Sequence, residues 1–134
     1  VDIVSNPSLP LVQFQCLEQV DSLTCDPTQC ECNNFNDAVS PQCLPPTKPC
    51  GTGLHSDDVV CAYGKISQGE DPIYSLAEVA AAGCKIAFQV DSTPEDDVGH
   101  ISLPHLQATV EDFNVVGSYN LKSFEARSLV FVGD

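Results

Sequence analysis

Apolar and polar positions alternate in several short stretches of this chain, and one stretch follows a helical period instead. Val12, Phe14 and Cys16 alternate with Gln13 and Gln15, which predicts a strand over Leu11–Leu17. A second strand is predicted over Val59–Ile66. In Cys84–Asp91, Ile86, Phe88 and Val90 face one way, and Lys85, Ala87 and Gln89 the other. His105–Asp112 alternates again, with Leu106, Ala108 and Val110 expected inward. Gly117 marks a turn before a strand around Tyr119–Ala126. Leu129–Val132 is continuously apolar, as a central strand would be. No internal repeat and no low-complexity segment is visible.

The helical stretch begins with the clearest local signal in the sequence. Ser75 and Glu78 form a capping box, in which each side chain can satisfy the other residue's backbone amide. Tyr74 and Val79 occupy the positions of a hydrophobic staple. Leu76, Val79, Ala80 and Gly83 share one small face, and Gly83 is the natural stop. These elements predict an α+β fold: a short helix near residues 75–83 packed on an antiparallel or mixed sheet.

The first part of the chain has a different texture. Residues 1–55 hold six cysteines and seven of the ten prolines. Pro41–Pro49 cannot be helical and reads as an extended path pinned by Cys43 and Cys50. The expectation is one domain over residues 1–134, with a stapled half (1–55) and a helix-and-sheet half (56–134). A bond from Cys84 to the stapled half would join them.

Composition then sets the compartment. The chain has 134 residues, 43% of them apolar, enough for a real core. Its eight cysteines, Cys16, Cys25, Cys30, Cys32, Cys43, Cys50, Cys61 and Cys84, suit four disulfides and an oxidising environment. Which cysteine pairs with which stays open. Zinc at Cys25, Cys30, Cys32 and Cys43 is the competing use, but the paired C-x2-C spacing that zinc sites favour is missing. The first residue is Val1 and Met is absent, which reads as a mature secreted chain. No apolar run approaches the ~20 residues of a membrane span.

The net charge is −14, with only five basic residues. Nucleic-acid binding needs clustered Lys and Arg, which nothing here supplies, and anionic membrane surfaces are disfavoured for the same reason. A protein partner, such as a host or competitor receptor, is expected instead.

Candidate chemistry is sparse. His55, His100 and His105 lie in no nucleophile motif, and no cofactor motif is present, so neither a catalytic residue nor a cofactor is assigned. Asp57/Asp58, Glu70/Asp71 and Glu111/Asp112 are paired acids that could serve a small extracellular acid-adapted hydrolase if the fold set them across a cleft. Asp91, Glu95, Asp96 and Asp97 crowd one turn and form a calcium candidate. That turn lacks the EF-hand spacing, and calcium wants about six to eight oxygens in a preformed loop.

Cys50-Gly-Thr-Gly53, a strand, a short helix ending in Gly83-Cys84, an immediate strand and a return through Val110 together resemble the smut-fungus killer toxins. The resemblance covers roughly residues 50–112. It implies a small secreted α/β-sandwich with a toxin-like or effector-like, non-enzymatic role. That family acts through a basic surface, whereas this chain is acidic and its first half is proline-rich, so no functional residue is carried over. The resulting expectation is a secreted binding protein, with the acid hydrolase as the alternative.

Overall fold

The strands are two to four residues long, and each pairs with a strand from a different circuit of the chain rather than with its neighbour in sequence. The computed structural model describes residues 1–26, 29–33, 41–45, 50, 60–61, 73–93, 96 and 98–133. Its elements are β1 (Asp2–Val4), β2 (Val12–Phe14), β3 (Thr24–Cys25), β4 (Cys32–Asn33), β5 (Ile73–Tyr74), α1 (Leu76–Ala82), β6 (Ile86–Ala87), β7 (Gln89–Asp91), β8 (His100–Ser102), β9 (Ala108–Thr109), β10 (Phe113–Val116), β11 (Ser123–Glu125) and β12 (Phe131–Val132).

They form three sheets. The first runs β3-β1-β10-β7-β5, the second β4-β2-β11-β8 and the third β12-β9-β6. Every pairing among the described residues is parallel. Single parallel bridges, Gln19 to Phe131 and Val60 to Ile86, extend the third sheet at both edges.

Along the chain, β7, β8 and β9 visit the first, second and third sheets in turn, and β10, β11 and β12 repeat the circuit. Partners in these two rungs lie 23 residues apart, as in Val90–Phe113, Ile101–Phe124 and Ala108–Phe131. This is a parallel β-helix, with one unusual feature. The rung that follows β10–β12 in space is made by β1, β2 and Gln19, from the start of the chain, and β3 and β4 stack beyond it. At the opposite end, β5, α1 and β6 make the last full rung, Val60 stacks beyond β6, and α1 packs against β7 and β8.

The expected antiparallel or mixed sheet with a packed helix is therefore corrected: the protein is predominantly β, and its strands are parallel. Alternation fixes which face of a strand is buried, not the direction of its partner. Here consecutive described strands lie in different sheets, so no hairpin closes among the described residues. The α/β-sandwich implied by the killer-toxin resemblance is corrected by the same finding. The chain does repeat, but only through inward apolar positions such as Leu106 and Leu129, both fully buried, and not through a recurring motif. The stretch Cys84–Asp91 is two strands, because a corner at Phe88 separates Ile86–Ala87 from Gln89–Asp91. Val110 is exposed rather than inward, and Thr109, fully buried, takes the ladder position between Ala87 and Val132. Of the strand expected over Val59–Ile66 only Val60 and Cys61 are described.

Other expectations match the structure. β2 and β11 lie inside the stretches read as strands, and Val12 and Phe14 are buried. Ser75 caps α1 with both bonds of its box, and Gly83 ends it at φ 63°, a left-handed conformation that costs glycine little. Leu76 and Val79 are buried, whereas Ala80 is exposed.

The core is one cluster drawn from both parts of the chain. Phe113, Val90 and Tyr74 stack inward on the first sheet, and Val12, Phe124 and Ile101 on the second. Phe14, Phe113 and Phe124 meet with ring centroids 5.9–6.1 Å apart, two of the three pairs edge-on. These rings bind the first rung to the last. Corner-to-corner hydrogen bonds reinforce the stacking. Buried Asn6 donates to the Val115 carbonyl at 2.8 Å and accepts from the Ser118 amide at 2.9 Å. Ser128 donates to the Pro104 carbonyl at 2.7 Å.

All eight cysteines are paired: Cys16–Cys50, Cys25–Cys30, Cys32–Cys43 and Cys61–Cys84. The bond expected from Cys84 to the stapled half is thus replaced by one to Cys61, at the same end of the coil, where the Cys61 amide donates to the Ile86 carbonyl. The disulfides sit at the two ends of the coil, and residues 85–134 contain no cysteine.

Phe14→Ala should cost about 3–5 kcal/mol of unfolding free energy, because it opens a cavity among three rings at the joint between the first and last rungs. Chemical denaturation of both proteins with disulfides intact measures this. A loss under 1 kcal/mol would show that the joint does not carry the core.

Candidate functional site: the outer face of the first sheet

Strand alternation in the first sheet buries Ile3, Phe113, Val115 and Val90, and so turns Asp2, Val4, Asn114, Val116, Gln89 and Asp91 outward. Parallel register lines them up. One row runs Thr24, Asp2, Asn114, Asp91, and a second pairs Val4 with Val116. Side chains in neighbouring strands of such a row are ~4.8 Å apart, and the rows are ~6.6 Å apart along the strands.

The polar row is fixed in place. Asp91 accepts from Gln89 Nε2 at 3.0 Å and from Asn114 Nδ2 at 2.9 Å. Ser92 ties the next strand over, donating to the Val116 carbonyl at 3.1 Å and accepting its amide at 2.8 Å. The apolar row continues into the corners that lead to the second sheet. Gly117, at φ 71°, turns the chain so that Tyr119 projects outward at 64% exposure, next to Val116 at 48%. Val98, 47% exposed, occupies the equivalent corner of the adjacent rung, whose Gly99 carbonyl accepts from the Lys122 and Ser123 amides. The face thus joins a rigid carboxylate–amide row to an exposed apolar edge.

The second sheet shows a different outer face. Ser102 donates to Glu125 at 2.7 Å, and Glu125 pairs with Arg127 at 3.4 Å. Arg127 also donates to the Pro45 carbonyl at 2.7 Å, so this cation holds a loop against the sheet.

The sequence-predicted residues take the following places. Asp91 belongs to the outer row just described. Asp96 is fully buried and serves the protein itself. It accepts from the Leu76 amide at 3.2 Å and the Ala77 amide at 2.8 Å, the donors that α1 leaves open in its first turn. It also accepts from the Thr93 amide at 2.8 Å and the Thr93 hydroxyl at 3.1 Å. Ser75 and Asp96 together cap α1, one from within the helix and one from the turn after β7. Glu95 and Asp97, the other two acids of the calcium candidate, lie outside the described residues. Among the described residues no three His, Cys, Asp or Glu side chains gather as a metal site would.

Glu111 and Asp112 lie at the corner between β9 and β10, half-buried and exposed respectively. Asp57, Asp58, Glu70, Asp71 and His55 lie outside the described residues, as do Gly51–Gly53 of the killer-toxin resemblance. His100 is exposed and hydrogen-bonds Ser123 across β8 and β11. His105 is exposed near Gly83. The zinc candidates Cys25, Cys30, Cys32 and Cys43 are consumed in two disulfides. Neither the buried role of Asn6 nor the pairing of Val4 with Val116 could be read in sequence, because each joins residues about 110 positions apart. No described helix is long and apolar enough to cross a membrane.

Comparison with protein-family models, with characterised proteins and with solved structures finds no match for this chain.

Asp96→Ala should destabilise the protein by about 2–4 kcal/mol, since one buried amide, two half-buried amides and a hydroxyl lose their acceptor at once. Asp91→Ala, on the surface, should cost about 1 kcal/mol or less. Thermal unfolding of the two variants beside the wild type gives the comparison. Equal effects would mean that Asp96 is not the anchor of α1.

Proposed function

We propose that this is a secreted, non-enzymatic binding protein of effector or toxin type, which acts by contact with another protein. Four disulfides fit an extracellular protein. The observation that carries the reading is the exposed apolar edge of Val98, Val116 and Tyr119 beside the flat face of the first sheet. Among the described residues 29 apolar side chains are buried and six large ones are exposed, and three of those six, Val116 at the end of β10 and Val98 and Tyr119 in the turns after β7 and β10, belong to this side of the first sheet. Tyrosine suits such a position, because it offers a large contact area with little rotamer entropy to lose. The disulfide-stapled ends hold the face rigid, which lowers the cost of association.

The test is photo-crosslinking from position 119. The protein carrying a photoreactive phenylalanine there is exposed to living cells or to an extracellular fluid. Adducts should form that unlabelled wild type competes away and that unlabelled Val116→Ser/Tyr119→Ser does not. Competition by both proteins alike would contradict a role for this edge.

A further inference from the structure

We infer that the outer face of the first sheet docks an extended, basic segment of a partner protein, in which a Lys or Arg and an aliphatic residue stand two positions apart. This rests on the binding reading above and specifies the partner's chemistry.

The spacing comes from the sheet. Residues two apart in an extended chain point to the same side ~6.6 Å apart, which is also the distance between the Asp2–Asn114–Asp91 row and the Val4–Val116 row. A segment laid along the strand direction places a cationic side chain over the carboxylates and an aliphatic one over the valine pair. Tyr119, just beyond Val116, extends the apolar end.

Charge selects the occupant. Asp2 and Asp91 are the ionisable side chains facing outward among the described residues of this sheet, and both are acidic. Described cationic side chains lie elsewhere: Arg127 holds the Pro45 loop, Lys85 precedes β6 in the third sheet, and Lys122 stands at the second-sheet side of the corner; the Val1 ammonium, beside Asp2, donates to the Ser22 carbonyl at 2.8 Å. A second copy of the chain would bring a charge of −14 against −14, and nucleic acids or anionic lipids would be repelled likewise. A basic segment is attracted, and the carboxylate it meets at Asp91 is already oriented by Gln89 and Asn114. The short side chains of the polar row leave the extended segment room to lie close.

The test uses three heptapeptides, Lys-Ser-Val-Ser-Lys-Ser-Val, the same peptide with Glu for Lys, and the same peptide with Ser for Val, titrated into the isotope-labelled full chain and followed through its amide resonances. The first peptide should shift Asp2, Val4, Asn114, Val116 and Tyr119, and bind at least tenfold more weakly to Asp2→Asn/Val116→Ser, whose remaining spectrum reports an intact fold. The other two should bind at least tenfold more weakly to the wild type. Equal binding of the Glu peptide overturns the basic partner while leaving a binding face in place. Equal binding of the Ser peptide reduces the effect to net charge and overturns the apolar contact. Shifts scattered over all faces, or none from any peptide at millimolar concentration, overturn the docking site. The crosslinking experiment above stands or falls separately, because it needs no assumption about the partner's charge.

Discussion

Asp2, Ile3 and Val4 pair with Asn114, Val115 and Val116, and Phe14 wedges against Phe113 and Phe124. Through these contacts the first residues of the chain stack on the last, and the remaining structure depends on that joint. A strand edge left open is unstable in water and prone to pair with other chains. The rung of β10, β11 and β12 offers three such edges, and β1, β2 and Gln19 cover all of them. Burial of each phenylalanine ring contributes about 1.5–3 kcal/mol, and the edge-on pairs add to it. On its other side the first segment pairs locally with β3 and β4, but its joint to β10 and β11 waits for the end of the chain and closes a loop of more than a hundred residues. Such non-local pairing is slow to form.

The joint explains where the cysteines sit. The two rungs from β7 to β12 are stacked on both sides and have no disulfide. The outer rungs have a neighbour on one side only, and the disulfides cluster there: three at the β3–β4 end and one at the β6 end. In the chain-entropy account each closes a loop worth about 2–4 kcal/mol, with the 34-residue Cys16–Cys50 loop at the upper end. At the other end, α1 takes the place of a second-sheet strand and is anchored by Asp96. The same joint also builds the binding face, since Val4 comes from the first strand and Val116 from the tenth.

Local features of this fold are legible in the sequence, and non-local ones are not. Ser75, Glu78 and Gly83 specify α1 through bonds within a few residues, so the helix follows from the sequence directly. Val12 and Phe14 announce a half-buried strand by their alternation. Nothing about that alternation says that the partner of Phe124 is Val12, or that the two run parallel. The continuous apolar run at Leu129–Val132 marks a buried strand but not its sheet. Phe88 shows the limit from the other side. It keeps the alternation of Ile86 and Val90, yet lies at a corner that resets which side faces the core. Among site residues, Asp91 and Asp96 stand out in sequence as one acidic turn. Their fates diverge because one ends a strand facing solvent while the other folds back under a helix.

The chain's first rung stacks, parallel and in register, on its last. Nuclear Overhauser contacts across that joint measure it directly in the isotope-labelled protein. Backbone contacts should link Ile3 to its neighbours on β10 in a parallel pattern, and ring contacts should link Phe14 to both Phe113 and Phe124. An antiparallel contact pattern between β1 and β10, or a Phe14 ring in contact with neither partner, would contradict it.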